Sequence, residues 1–135
     1  MKQCDIMKIS EEEVAFVSEQ ESLEKGVSFI RDNSDIKILF VTLGNKGSIA
    51  YYKDEKIYCG GIHQEHVVDT TGAGDTFCGA VLSRILELGT DALTEKDIRE
   101  MLLFANAAAS IVVTRKGALC SMPEPEEIRA ASSLI

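Results

Sequence analysis

The chain has 135 residues, of which 45% are hydrophobic, and this is enough for a single domain with a buried core. Acidic residues outnumber basic ones by 22 to 14, so the formal charge of −8 argues against a surface for nucleic acid or for an anionic membrane. No apolar run approaches the ~20 residues of a membrane span, and the first residues lack a signal-peptide core, which predicts a cytoplasmic protein. The four cysteines are scattered without a Cys-x-x-Cys pair, which gives zinc and redox sites no support.

The first predicted elements are a short strand and a capped helix. Residues 6–9 contain a small apolar cluster that is typical of a strand. Ser10 followed by Glu13 forms a capping box, and apolar residues at helical spacing follow as far as Ile30. Helix capping alone would explain both Ser10 and Glu13.

Residues 36–43 form a nearly continuous apolar run, which predicts a parallel strand covered on both faces. The run ends in Gly44-Asn-Lys-Gly47, at the place where open α/β sheets bind ligands. These residues are also typical of a hairpin turn, and both interpretations stay open because a turn can lend its amides to a phosphate. They do not form a Walker P-loop, since no Gly-Lys-Ser/Thr follows at the required spacing.

Three short strands are predicted next, over residues 48–53, 56–59 and 62–68. His63 and His66 would point to opposite faces of the last strand, which argues against a metal-binding pair. We therefore interpret this region as structural.

The most unusual stretch is Val-Val-Asp-Thr-Thr-Gly-Ala-Gly-Asp-Thr-Phe, residues 67–77. Apolar residues after Asp75 recur at helical spacing, so the glycine turn begins a helix. Gly72, Ala73 and Gly74 have little or no side chain, so their amides can approach phosphoryl oxygens at the positive end of the helix dipole. Together these features indicate an anion site.

Asp75 does not fit an anion cradle unless it has a chemical task. A carboxylate repels a bound phosphate, but it can accept a proton from the hydroxyl that attacks the phosphorus. The cradle and the acid together suggest phosphoryl transfer. The alternative is an ordinary helix start in which Thr70, Thr71 or Asp75 caps the free amides.

The last part of the chain is predicted to be mostly helical. The helix from Asp75 ends near Gly89, and a second helix over residues 96–113 carries one apolar stripe. Its small residues at 105–110 allow close approach of another segment or of a flat ring. A loop containing Gly117 then leads to an acidic helix start at Glu124.

Residues 69–77 resemble, almost residue for residue, the C-terminal motif of the ribokinase-like (PfkB) carbohydrate kinases, and the chain around them is most similar to the fructokinase branch. The similarity extends through residues 8–13, 42–47, 106–110 and 114–118. It implies an α/β, Rossmann-like three-layer ribokinase-type fold with a mostly parallel sheet and a small β-meander or hairpin region. It also implies that residues 1–135 are the C-terminal, nucleotide-binding part of a longer kinase.

The resemblance implies ATP-dependent phosphorylation of a sugar hydroxyl with Mg²⁺. The positions that match the catalytic base and the anion hole are Asp75 with Gly72, Ala73 and Gly74. The positions that match nucleotide contacts are Thr42, Gly44, Gly47, Asn106 and Glu13, the last acting through water on magnesium. Ser10 stands where the family has an asparagine.

The family also holds a monovalent cation, such as K⁺, beside the anion hole. The matching positions here are Asp69, Thr71, Val112, Arg115, Gly117 and Ser121. In the family an N-terminal part supplies the sugar-binding residues, so the resemblance further implies self-association or pairing with that missing half.

Two other function classes are open. An isolated nucleotide-binding or regulatory fragment would keep the glycine turns without needing Asp75. A dinucleotide oxidoreductase would use Gly72 and Gly74 as a Rossmann turn, but Phe77 occupies the third glycine position and Asp91 follows a helix instead of a strand. The second option is therefore poor.

Overall fold

The computed structural model describes residues 4–117 and 121–133. The strands in these ranges are β1 (Ile6–Ser10), β2 (Ile38–Thr42), β3 (Gly47–Tyr52) and β4 (Glu55–Gly60). The helices are α1 (Glu11–Ser18), α2 (Leu23–Asp32), α3 (Ala73–Leu88), α4 (Glu95–Val112) and α5 (Pro125–Ser132), and a 3₁₀ turn covers Gly44–Lys46. Within residues 4–117 and 121–133, every helix is too short or too polar to span a lipid bilayer.

The four strands form one mixed sheet in the order β1-β2-β3-β4. β1 and β2 are parallel, with Ile6 opposite Ile38, whereas β2 with β3 and β3 with β4 are antiparallel. The sheet is thus less parallel than expected. The reason is the short connections after β2 and β3, since tight turns join only antiparallel neighbours and a parallel pair needs a long crossover.

Helices cover both faces of the sheet, as a three-layer fold requires. Ile9, Leu39 and Val41 point to one face and pack in a cluster with residues of α1 and α2. Alternate residues such as Ile38 and Phe40 point to the other face and pack with α3, α4 and α5. The rings of Phe40 and Phe77 meet edge to face with centroids 6.3 Å apart. This contact fixes the first turn of α3 against the sheet.

The capping box predicted at α1 is confirmed. Ser10 Oγ accepts a hydrogen bond from the backbone N–H of Glu13 at 3.2 Å, and the Glu13 carboxylate accepts one from the backbone N–H of Ser10 at 2.7 Å. Both bonds satisfy amides that the helix cannot pair by itself. The chain therefore turns sharply from β1 into α1.

The strand predicted over residues 62–68 is wrong. Residues 61–70 form no strand, and Val67 and Val68 are 57% and 60% exposed. The backbone N–H of Val68 instead donates to the carbonyl of Val113 at 2.7 Å, just after α4. The segment before α3 is therefore held by the end of α4 and not by the sheet.

Candidate active site

A cavity of about 550 Å³ lies where β1 and β2 end and α3 begins. Its lining includes six residues that the sequence singled out, which are Thr42, Gly44, Gly47, Ala73, Gly74 and Asn106. They come from three separate stretches of the chain. The fold therefore brings the two glycine turns together at one end of the sheet.

The first turn of α3 is open toward this cavity. Gly72 has φ 85° and no side chain caps the helix. The N–H of Ala73 donates to the carbonyl of Thr70 at 3.3 Å, whereas the backbone amides of Gly74 and Asp75 have no hydrogen-bond partner in the described part of the chain. The alternative in which Thr70, Thr71 or Asp75 caps the helix is therefore not what the structure shows. Free amides at a helix start attract anions.

Asp75 is the third residue of α3 and is exposed. It lies directly after the cavity-lining pair Ala73 and Gly74. Within residues 4–117 and 121–133 its carboxylate makes no hydrogen bond or ion pair. The acid is therefore available at the surface beside the cavity and is not used to hold the fold together.

Gly47 is the residue that lets the β2–β3 turn pack closely. Its φ is 110°, and a Cβ there would lie 2.2 Å from the carbonyl oxygen of Cys59. The same closeness occurs at Gly61, where a Cβ would lie 2.2 Å from the carbonyl oxygen of Asn45. The segment is therefore the tight turn that the sequence suggested, and the same turn also lines the cavity.

Asn106 also reaches the cavity, but its amide is already engaged. Its carboxamide oxygen accepts from Ser48 Oγ at 2.9 Å, and its Nδ2 donates to the carbonyls of Cys59 at 3.3 Å and Gly60 at 3.2 Å. The side chain is 7% exposed. Asn106 thus joins α4 to β3 and β4, and its remaining surface forms part of the cavity wall.

Glu12 lines the cavity. The sequence had instead indicated its neighbour Glu13 as the acid that acts on magnesium. Glu13 uses its carboxylate in the capping box, and the hydrogen bond from the Ser10 backbone N–H is the main cause that lowers its pKa. The pKa of Glu12 is lowered first by hydrogen bonding to its own backbone N–H and then by Ser10. Both groups are therefore anionic at neutral pH.

Asp69 connects the segment before α3 to the loop after α4. Its Oδ1 accepts from the backbone N–H of Thr71 at 2.9 Å, and its Oδ2 accepts from the N–H of Gly117 at 3.5 Å. Hydrogen bonds from Thr71, first from its side chain and then from its backbone, lower the pKa of Asp69. Asp69, Thr71 and Gly117 thus lie together, and they are three of the six positions that the resemblance matches to a cation site.

Of the other three positions, Val112 is the last residue of α4, and Arg115 and Ser121 follow it in the chain. The carbonyl of Val112 accepts from the N–H of Arg115 at 3.0 Å, and Ser121 Oγ donates to the carbonyl of Gly117. The Arg115 guanidinium is directed to the carbonyl of Ser121 at 3.4 Å and to Glu127 at 2.6 Å. A carboxylate, a hydroxyl and backbone carbonyls are oxygen donors that suit a hard cation. The residues therefore fit the implied group.

Lys8, His63 and Gln64 also line the cavity. The sequence alone assigned none of them a role at the site, although Lys8 belongs to the stretch 8–13 that resembles the kinase family. For Lys8 a signal existed. Ile6, Lys8 and Ser10 point to the same face of β1, and Ile6 packs against the core on that face. A charged residue at position 8 is therefore unusual for this face.

Comparison with known proteins identifies the family. Residues 1–125 match the model of the pfkB family of carbohydrate kinases, so the chain belongs to that family. It is 40% identical over 128 residues to Fructokinase-1 of Zea mays and 39% identical over 128 residues to Fructokinase-1 of Oryza sativa subsp. japonica, in each case over 93% of this chain.

Solved structures give the same result for the fold. A fructokinase from Vibrio cholerae O395, with fructose, ADP and calcium ion bound, matches 93% of the chain at TM-score 0.83 and 32% identity. A putative ribokinase II from E. coli, in complex with ATP and Mg²⁺, matches 97% of it at TM-score 0.80 and 31% identity. The ribokinase-type fold expected from the sequence is thereby confirmed.

The chain spans about two fifths of the proteins it matches. It covers 39% of each of the two plant fructokinases and 40% of each of the two bacterial structures.

Proposed function

We propose that this chain is the nucleotide-binding part of a carbohydrate kinase that transfers the terminal phosphoryl group of ATP to a sugar hydroxyl, as fructokinases do. The observation that carries the proposal is the uncapped start of α3, where the amides of Gly74 and Asp75 are free beside the cavity. Backbone amides at a helix start supply both hydrogen bonds and a positive dipole to phosphoryl oxygens.

In this proposal two glycine turns hold the triphosphate between them. Thr42, Gly44 and Gly47 line one side, and the turn of Gly72, Ala73 and Gly74 forms the other, where the amides of Gly74 and Asp75 are free. Asn106 shapes the wall through its non-polar atoms, because its amide is fixed by β3 and β4. The chain's own contribution is therefore to bind and orient the phosphates.

Asp75 is the proposed catalytic base. It orients the attacking hydroxyl and accepts its proton, while the oxygen of that hydroxyl forms the new bond to phosphorus and the bond to ADP breaks. Its exposure and its lack of a protein partner in the described residues leave the carboxylate free for this role. A loose transition state asks mainly for positioning of the nucleophile and stabilisation of charge.

Two cations belong to the proposal. Mg²⁺ bound to the phosphates would neutralise charge that develops during transfer. Glu12, which lines the cavity, and its neighbour Glu13 are the acids proposed to act on it through water. The oxygen atoms of Asp69, Thr71, Val112, Arg115, Gly117 and Ser121 are the proposed ligands of K⁺. Asp69 and Thr71 directly precede the Gly72 turn, so an ion there would stabilise the shape of the anion site.

We further propose that the sugar contacts come from a part of the fold outside this chain, either on a separate polypeptide or within a longer one. β1 is an edge strand, and the most exposed large apolar side chains include Phe16 at 86% and Leu86 at 88%. An open sheet edge and exposed apolar groups favour self-association or pairing with such a part. A cytoplasmic location stays a prediction.

Calorimetric titration with Mg-ATP tests the nucleotide site, and a chimera tests the activity. In the chimera this chain replaces the matching two fifths of Zea mays Fructokinase-1, and phosphorylation is assayed on a panel of sugars. ATP binding with sugar phosphorylation supports the proposal. ATP binding without phosphorylation favours a nucleotide-binding fragment, and absence of nucleotide binding contradicts both functions.

A further inference from the structure

Lys8 stands out because its charge lies close to another positive feature. An ideal Cβ built on Gly74 would lie 3.1 Å from Lys8 Nζ, so the ammonium group sits directly against the first turn of α3. The start of a helix carries a partial positive charge. An ammonium beside it is repelled, and this arrangement is unfavourable unless an anion lies between or next to the two groups.

Among the side chains of residues 4–117 and 121–133, none supplies that anion directly. Within the described residues Lys8 has no hydrogen bond and no ion pair within 4.0 Å. The charged groups that face it are Glu12, which lines the same cavity, and Glu13, whose pKa the charge of Lys8 also helps to lower. Glu13 is committed to its capping bond with Ser10. Lys8 is half-buried, so its charge is only partly hydrated.

The strand geometry explains why the side chain points there. Lys8 pairs in register with Phe40, and both belong to the sheet face that packs against α3 and α4. On that face Phe40 is in the core and the partly buried Ile6 packs against it, so a lysine at position 8 stands where an apolar side chain would continue the layer. The stem of a lysine can cover apolar surface while its ammonium extends into the cavity.

We propose that Lys8 is a phosphate-binding residue of this site, in contact with the terminal phosphoryl oxygens of ATP that the amides of α3 bind from the other side. The inference rests on the proposed function and goes further, because it assigns a fixed protein cation to the transferred group in a chain of net charge −8. Lys8 exchanges no proton in this role. It stabilises negative charge on the phosphoryl oxygens.

The first test is titration of the unaltered chain and of Lys8→Met with Mg-ATP and with AMP. A charge-assisted hydrogen bond to the terminal phosphoryl group predicts that Lys8→Met weakens ATP roughly tenfold or more while AMP changes little. Lys8→Arg should recover part of the loss. Lys96→Met is the matched control, because Lys96 is an exposed lysine of α4 paired with Glu100.

The second test needs no variant. Reductive methylation followed by mass spectrometry compares lysine reactivity with Mg-ATP, with AMP and without nucleotide. Lys8 should be protected by Mg-ATP and not by AMP, and Lys96 should react equally in all three.

The outcomes separate this inference from the proposed function. If the chain binds ATP more tightly than AMP and Lys8→Met leaves that preference intact, the role of Lys8 is contradicted and the proposed function stands. Equal reactivity of Lys8 with and without bound ATP also contradicts that role and leaves the proposed function standing. If the unaltered chain binds no nucleotide, both are overturned.

Discussion

Ser48 Oγ donates a hydrogen bond of 2.9 Å to the carboxamide oxygen of Asn106, and this bond joins β3 to α4 at the cavity. Ser48 is fully buried and Asn106 is 7% exposed. Because the same carboxamide also donates to the carbonyls of Cys59 and Gly60, one side chain connects two strands to one helix. The spacing between the glycine turn at residues 44–47 and α4 therefore depends on Asn106.

Asn106→Leu is expected to destabilise the chain by about 2–3 kcal/mol, because it leaves the buried Ser48 hydroxyl and the less buried carbonyls of Cys59 and Gly60 without their partner. Ser48→Ala should cost about 1 kcal/mol. Urea denaturation of the two single variants and the double variant measures their coupling. The two losses should not add, since the Ser48–Asn106 bond can be lost only once. Strict additivity would show that the bond contributes nothing.

Gly47→Ala is expected to destabilise the chain by about 2 kcal/mol or more and to weaken ATP binding, because a φ of 110° is strained for alanine and the new Cβ meets the carbonyl of Cys59. Gly79→Ala is the matched control. Gly79 lies within α3 with open space around its Cβ position, so alanine there should stabilise by about 0.5–1 kcal/mol. Equal effects of the two substitutions on thermal denaturation would contradict this account of the turn.

Asp97 gives a prediction for pH. The Thr94 side chain and then its backbone N–H hydrogen-bond to the Asp97 carboxylate and lower its pKa. A group whose pKa is lower in the folded state stabilises the fold above its unfolded pKa of about 4, and this contribution disappears as the pH falls through the folded pKa. The difference in unfolding free energy between the unaltered chain and Asp97→Asn should therefore shrink from pH 6 to pH 3. A difference that stays constant would contradict the assignment.

Asp75→Asn in the fructokinase chimera is expected to lower turnover by about 10²- to 10⁴-fold, as loss of a general base does. Affinity for Mg-ATP should stay the same or rise slightly, because a negative charge beside the phosphates has been removed. Asp54→Asn, in the exposed turn between β3 and β4, serves as the control and should change neither quantity. Parallel losses of turnover and ATP affinity for Asp75→Asn would argue against its role as a base.

Local signals in the sequence predicted the elements that local interactions determine. The Ser10–Glu13 capping box, the buried run that became β2 and the helix after the Gly72 turn all depend on residues close in the chain. α3 begins at Ala73, two residues before Asp75, which is the start that the sequence suggested. A glycine turn gives no side-chain cap to mark the first helical residue.

Features that depend on distant partners were not predictable in the same way. Residues 62–68 follow a glycine pair and begin and end with β-branched residues, which suggested a strand. A strand needs a neighbour, however, and the backbone of Val68 is bound to Val113 instead. The polar atoms of Asn106 are engaged by β3 and β4, which no pattern around position 106 could indicate. The closeness of the Lys8 side chain to Gly74 likewise joins two residues that are 66 positions apart in the chain.

The central claim is that the start of α3 binds the phosphates of ATP. Two-dimensional NMR of the ¹⁵N-labelled chain, titrated with Mg-ATP and separately with AMP, measures it at the backbone amides. The account predicts that the amides of Gly72, Ala73, Gly74 and Asp75 shift strongly with Mg-ATP and weakly with AMP. Saturable ATP binding that leaves these four amides unshifted would contradict it.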